Sequence, residues 1–194
     1  MTLTVPALLE MARFTVQNPR EGARMVMRAD VPMAGRWLAL GLMAVLSSIM
    51  THLSIALLPA EGRAAMQQAV AGPLPTALLQ GALLLVTVHG VYWVGRWRGG
   101  KGSFADALIL MVWLQFILLI LQVIQVAAQL VLPPLADIVG YASLALFMWM
   151  LTAFITTLHG FQSMATVFFG IIGVMLVAGF VLAFVMLPFV NLGV

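Results

Sequence analysis

Five apolar stretches, each long enough to cross a lipid bilayer, dominate the sequence and limit the folds open to it. A helix needs about 20 apolar residues to span the roughly 30 Å hydrocarbon core of a membrane. The five stretches cover residues 37–58, 74–94, 104–132, 135–158 and 164–187. Inside a bilayer the backbone must pair its own polar groups, and apolar segments of this length do so as helices. The predicted fold class is therefore an all-α, polytopic membrane bundle of about five transmembrane helices.

The composition agrees with a chain that uses the bilayer as its solvent. Hydrophobic residues make up 63% of the 194 residues and charged residues only 8%, whereas soluble domains contain about 45–50% and about 25%. The absence of cysteine excludes disulfides and thiolate chemistry. We expect a cytoplasmic amphipathic segment at residues 1–35, followed by a five-span membrane domain at residues 36–194.

Basic residues are distributed unevenly about the predicted spans. Eight of the nine lie before or at the start of the first span or in the loop between the second and third spans, and only Arg63 falls on the other side. Short loops rich in Lys and Arg stay in the cytoplasm. We therefore expect a cytoplasmic N-terminus, an external C-terminus, and a location in the bacterial cytoplasmic (inner) membrane.

Two short amphipathic segments precede the first span. The pattern predicts Asn18 as N-cap of the second segment and Glu21 as its capping partner. Arg20, Arg24 and Arg28 follow at four-residue intervals and form one basic row on a helix. A cationic helix with an apolar side suits the lipid headgroup layer, so we expect these arginines to contact headgroups. The alternative is a helix packed against the protein's own cytoplasmic loop.

Amide side chains recur along the third span. Gln115, Gln122 and Gln129 are seven residues apart, which is nearly two helical turns and places them on one face. Together with residues of two other spans, amides of this span form a candidate polar layer in the outer half of the bundle: His52, Gln80, Gln122, Gln125 and Gln129. The layer could line a path for a small solute. The alternative is hydrogen bonding between helices, at about 0.6 kcal/mol per contact.

Residues suited to catalysis or metal binding do not occur in a recognisable pattern. The interiors of the spans lack Lys, Arg and Glu, while Asp106 and Asp137 fall in first helical turns, where the helix dipole favours a carboxylate. Ser103 and Asp106 form a capping box that sets the start of the third span. No nucleophile elbow, phosphate-binding loop or zinc-protease motif is present. We expect no enzyme activity, no catalytic, cofactor-binding or metal site, no cofactor, and no nucleic-acid partner.

Several short motifs are distributed over most of the chain and together are typical of one family. They are Asn18-Pro19-Arg20, Asp30-Val31-Pro32 before Trp37, the loop Gly99-Gly100-Lys101-Gly102-Ser103-Phe104, and the tract from Trp149 through His159-Gly160 to Ser163 and Ala165. In these motifs the chain resembles the bacterial branch of the Yip (Ypt-interacting protein) family. The resemblance implies a five-span membrane protein. Eukaryotic relatives bind Rab-type GTPases and carry Asp-Leu-Tyr-Gly-Pro, which this sequence lacks, so the resemblance does not extend GTPase binding to it.

Two functional hypotheses follow. The first is a non-catalytic scaffold or assembly protein that organises the membrane, with the lipid bilayer and other membrane proteins as partners. The second is a small-solute transporter or permease that uses the polar layer. The lack of charge inside the spans favours the first, because transport paths and proton relays commonly contain ionisable residues.

The predicted topology can be tested with reporter fusions. A reporter placed after Val194 should be exposed outside the cytoplasm, because five spans carry the chain across the membrane an odd number of times. A reporter inserted in the loop at residues 99–102 should be cytoplasmic. Protease accessibility in intact cells reads out both positions, and reporters found on the same side of the membrane would exclude five spans.

Overall fold

The computed structural model describes residues 4–191, and within that range the chain forms eight helices and no strands. In chain order they are α1 (Val5–Gln17), α2 (Pro19–Arg28), α3 (Met33–Ala56), α4 (Ala60–Ala69), α5 (Pro73–Trp97), α6 (Phe104–Val131), α7 (Pro133–His159) and α8 (Met164–Asn191). Helices α3, α5, α6, α7 and α8 are long and apolar enough to cross a membrane. The predicted fold class, a five-span helical membrane protein with short helices before the first span, is confirmed. Residues 192–194, which include the predicted external terminus, lie outside the described range.

Helix ends follow the local sequence signals in part. Ser103 Oγ accepts a hydrogen bond from the Asp106 amide at 3.1 Å, as the capping box predicts. Gly160 ends α7 in the left-handed region with φ of 71°, a conformation that glycine adopts without a steric penalty. Asn18 is the N-cap residue of α2, as predicted, but its side chain makes no capping hydrogen bond. The predicted role of Glu21 as capping partner is wrong, because Glu21 pairs with Arg24 instead.

Two helical segments were not anticipated. Helix α4 lies in the loop between the first two spans, and none of its residues is buried. Helix α8 continues to Asn191, past the predicted end of the fifth span at residue 187. Proline removes only one backbone hydrogen bond of a helix, and in a bilayer breaking the helix there would expose further backbone groups to hydrocarbon.

The densest packing surrounds α6, which contacts α3, α5 and α7. In the first half of α6, all eight residues at positions 107–114 are buried. In α7, all residues at positions 150–156 are buried. This is the end of the bundle at which α3 and α6 begin and α5 and α7 end. We call it the basic end, because Arg36, Arg96, Arg98 and Lys101 lie there.

Helices α1 and α2 pack into the basic end. Helix α2 contacts α6 and α7 and buries Ala23 and Val26. Trp113 Nε1 of α6 donates to Thr15 Oγ1 of α1 at 3.2 Å. Gly22 allows α1 and α2 to approach closely, since a Cβ atom at that position would lie 2.5 Å from Thr15 Cγ2. The N-terminal helices are thus part of the bundle core.

Packing is looser along α8 and on the outer faces of the other helices. Of the α8 side chains that the structure describes, only Val167 is buried. Large apolar side chains such as Leu78, Val131 and Phe169 are more than 60% exposed on the helices of this protein. Such surfaces suit contact with lipid tails, which are as apolar as these side chains.

Candidate functional site: the junction at the basic end

His159, the last residue of α7, is the buried polar centre of the basic end. Its Nε2 lies 3.0 Å from the Val91 carbonyl oxygen of α5, and its Nδ1 lies 3.3 Å from the amide nitrogen of Gly102. Because a carbonyl can only accept and an amide N–H can only donate, the neutral imidazole with its proton on Nε2 satisfies both contacts. His159 therefore connects α7 with both α5 and the α5–α6 loop.

Three glycines make room for this end of α7. A Cβ atom at Gly95 or at Gly100 would overlap the imidazole ring of His159. A Cβ atom at Gly102 would lie 2.6 Å from Cγ of Leu158. The loop backbone and α5 therefore approach α7 to a distance that only glycine permits.

The loop is held from its own side as well. Gly99 has φ of 86°, and the amide of Gly100 donates to the Gly95 carbonyl at 2.8 Å, which closes the end of α5 as a Schellman motif. The Lys101 amide donates to the His159 carbonyl at 3.3 Å. Backbone bonds at both ends fix the loop, while the side chain of Lys101 remains exposed.

A second polar contact joins the start of α3 to the start of α6. Arg36 donates from Nε to the Val31 carbonyl at 2.9 Å and from Nη1 to the Ala105 carbonyl. The same Nη1 lies 3.6 Å from Oδ1 of Asp106. Asp106 Oδ2 in turn accepts from Ser103 Oγ at 2.6 Å. Arg36, expected only as a flanking charge, is 12% exposed and bonded to α6.

An aromatic group covers the first turn of α6. The Phe104 ring lies 5.1 Å from His89, 5.9 Å from Tyr92 and 6.2 Å from Trp37, measured between ring centroids. Tilted and edge-on rings at these distances attract each other beyond simple burial. His89 contributes from α5, where its Nδ1 also lies 2.8 Å from the Leu85 carbonyl.

Most members of the candidate polar layer take part in hydrogen bonds between helices. His52 Nε2 lies 3.2 Å from Thr76 Oγ1 of α5. Gln80 and Gln122 both donate to Thr51 Oγ1 of α3, at 3.1 Å and 3.5 Å. The structure thus brings these residues against the polar side chains of α3 and α5.

The remaining glutamines divide between two neighbours of α6. Gln129 accepts from Ser54 Oγ at 3.0 Å and donates to the Ser54 carbonyl at 3.3 Å. Gln115, outside the candidate layer, donates to Ser47 Oγ at 2.9 Å. Gln125 instead faces α7, where a Cβ atom on Gly140 would lie 3.0 Å from its Nε2. The structure therefore does not group Gln125 with the rest of the layer.

The three arginines of α2 have unequal surroundings. Arg24 and Arg28 are exposed, and Arg24 forms an ion pair with Glu21. Arg20 is partly buried, and its Nε atom has no hydrogen-bond partner among the described residues. The apolar side of α2 is occupied by α6 and α7, so the helix presents its exposed arginines away from the bundle.

Comparison with known proteins identifies the family of the chain. The family model of the Yip1 domain matches residues 14–186, which is most of the chain. The chain belongs to the Yip family. Searches of the curated proteins and of the solved structures found no match.

Two of the motifs by which the sequence resembles the Yip family meet in the junction. The glycine-rich loop contacts His159, which lies in the tract from Trp149 to Ala165. Val31, from the motif before Trp37, accepts from Arg36. The sequence analysis placed His159 at the end of the fourth span and within a family motif, but assigned it no contact. The available signals were a histidine at the end of one span and a glycine-rich loop before another. Because 57 residues separate His159 from Gly102, the sequence did not show that they are in contact.

The close fit of Gly95 to His159 yields a test of the junction. Gly95→Ala should destabilise the protein by about 1–3 kcal/mol, because the added methyl group displaces the imidazole from the Val91 carbonyl. Thermal unfolding in detergent measures the change. Gly90→Ala, on the same helix with open space around its Cβ position, is the matched control and should not lower stability. Equal stability of the two variants would contradict the proposed packing.

Proposed function

We propose that this Yip-family membrane protein is a non-catalytic scaffold that organises the bilayer and other membrane proteins around its basic end. The observation that carries the proposal is a rigid junction whose cations point outward. His159, Arg36 and the glycine-rich loop are fixed by internal bonds. The charges that remain exposed are available to lipids and to partner proteins.

The exposed cations come from two separately anchored elements. Arg24 and Arg28 lie on α2, which is docked on α6 and α7. Arg96, Arg98 and Lys101 lie at the end of α5 and in the loop that His159 holds. A basic residue near an anionic membrane surface contributes about 1 kcal/mol. The expected contact of Arg20, Arg24 and Arg28 with headgroups is therefore part of the proposal.

The distribution of charge supports a bacterial cytoplasmic membrane with the basic end inside. Arg63 on α4 is the one basic residue placed at the opposite end, beside the acidic Glu61. The positive-inside rule then assigns the basic end and the N-terminal helices to the cytoplasm. With five spans, the end of α8 lies outside.

The bonding of the polar layer favours the scaffold over a transporter. Thr51 receives the amides of Gln80 and Gln122, and Ser54 exchanges two bonds with Gln129. In these contacts the glutamine side chains link neighbouring helices by hydrogen bonds. No charged residue lies among them, whereas solute paths commonly contain one.

The headgroup contact can be measured on the full protein in nanodiscs of mixed zwitterionic and anionic phospholipid. Replacing Arg24 and Arg28 by Gln should lower the enrichment of anionic lipid around the protein about fivefold per charge, given about 1 kcal/mol each. Mass spectrometry of the co-purified lipid gives the enrichment, and 1 M salt should abolish the difference by shortening the Debye length to about 3 Å. Arg63→Gln, at the opposite end, is the control. Unchanged enrichment in the double variant would contradict the proposed contact.

Cysteine accessibility distinguishes the scaffold from the transporter. Gln122→Cys should resist a water-soluble thiol reagent, because its neighbours are bonded to one another rather than to a water-filled path. Gln68→Cys, on the exposed helix α4, should react rapidly and serves as the positive control. The native chain has no cysteine, so all labelling reports the introduced residue. Rapid labelling at position 122 would overturn the scaffold and favour the transporter.

A further inference from the structure

Helices α1 and α2 form an N-terminal hairpin that is attached to α6 at two different depths. Near the end of α1, Thr15 accepts from Trp113 Nε1. The far end of the hairpin leads into α3, where Arg36 donates to the Ala105 carbonyl. Ala105 and Trp113 are eight residues apart, or about 12 Å along the axis of α6. The tip of the hairpin, residues 17–20, therefore reaches about 12 Å farther from the basic end than the start of α3.

The burial of α6 agrees with a hairpin that lies along this helix rather than beyond its end. All eight residues at positions 107–114 are buried, which requires neighbours around the whole circumference of α6. Helices α3, α5 and α7 provide part of this cover, and α2 contacts both α6 and α7. The ten residues of α2 are about 15 Å long, enough to cover the interval between the two attachments.

At the same depths, another side of α6 is suited to lipid tails. Helices α3 and α5 pack on each other and on α6. Leu38 is 75% exposed, Leu42 is 54% exposed and Val86 of α5 is 67% exposed. Leu42 lies six residues beyond Arg36, or about 9 Å deeper along α3. On this side hydrocarbon therefore begins near the first turn of α6, where the aromatic group around Phe104 has the position of an interfacial belt.

The exposed surface of the hairpin is polar over the same interval. Arg13, Gln17 and Asn18 are exposed beside the tip. Arg13 and the partly buried Arg20 form no ion pair with any described residue. In an undisturbed bilayer these side chains would face acyl chains, where charged groups are costly. The two sides of α6 thus require different surroundings at one depth.

The composition of the hairpin surface favours lipid headgroups over bulk water. Phe14 is 38% exposed and Met25 is 42% exposed, so apolar side chains are interspersed among the arginines. A helical surface that mixes cations with apolar side chains suits the boundary between headgroups and acyl chains. Guanidinium groups also match the phosphate of a headgroup in charge and hydrogen bonding.

We propose that the leaflet at the basic end is thinned beside the N-terminal hairpin, where phospholipid headgroups descend to its tip and their phosphates pair with Arg13 and Arg20. The inference rests on the proposed contact of α2 with headgroups and adds its depth. The step is at most about 12 Å, the distance between the two attachments along α6, in a hydrocarbon core of roughly 30 Å. The hairpin thereby deforms the bilayer on one side of the protein.

Fluorescence quenching on the full protein in nanodiscs of zwitterionic phospholipid tests the step. Bimane is attached to Asn18→Cys at the tip or to Leu42→Cys on α3, and each probe is quenched by nitroxide on the headgroup or near the middle of the acyl chain. The headgroup nitroxide should quench Asn18→Cys preferentially, and the chain nitroxide should quench Leu42→Cys. The Leu42→Cys probe should be about 9 Å deeper. In an undisturbed bilayer the order reverses, because the tip then lies deeper than Leu42.

Further labelled variants protect the comparison from local effects. Gln17→Cys repeats the measurement at the tip, and Trp97→Cys, 83% exposed at the end of α5, marks the headgroup level. Preferential quenching of both tip probes by the chain nitroxide would overturn the proposal. So would headgroup quenching of Leu42→Cys, which would place the whole basic end clear of the hydrocarbon. Tip probes that neither nitroxide quenches would also overturn it, because water or protein would then surround them.

The depth measurement is independent of the test of the proposed function. It is made without anionic lipid, so it does not require the enrichment expected for Arg24 and Arg28. A protein that lacks this enrichment but shows the depth order above would contradict the proposed anionic contact and still support the thinning. The converse result would overturn the thinning alone.

Discussion

The bond between His159 and the Val91 carbonyl holds together the end of the molecule on which the other contacts depend. Between helices in lipid there is no hydrophobic driving force, so close packing and polar contacts decide which helices associate. His159 provides both, because its ring fills the space left by Gly95 and Gly100 while its nitrogens bond α5 and the loop. Once α7 is fixed in this way, α6 is enclosed between α3, α5 and α7, and α2 docks on its exposed side.

The sequence predicts where the helices lie in the chain more completely than it predicts which helices contact one another. The five spans follow from apolar length alone, and the start of α6 follows from Ser103 and Asp106. Helical periodicity also places the glutamines of α6 on shared faces. It does not identify what those faces contact: Ser47 and Ser54, which bond Gln115 and Gln129, lie 68 and 75 residues away in sequence. The position of His159 was missed for the same reason, since its partners come from a different helix and loop.

The bundle is packed tightly at the basic end and more loosely elsewhere, and the two regions suit different roles. At the basic end, buried side chains and backbone bonds leave little freedom, so charges on α2 and on the α5–α6 loop keep a fixed arrangement. Farther from His159 the bundle is more open, and large side chains such as Leu78 of α5 and Val131 of α6 are exposed there. A scaffold that must present one surface reproducibly and still adapt to lipid benefits from this combination.

The weak attachment of α8 affects how the protein is made. Since Val167 is its one buried residue among those described, α8 gains little from contact with the bundle and is retained in the membrane by its own partitioning from water. It is also synthesised after α1–α7. The core can therefore assemble before α8 leaves the insertion machinery. An exchange of one apolar residue for another in α8 should therefore disturb packing less than the same exchange in α5–α7.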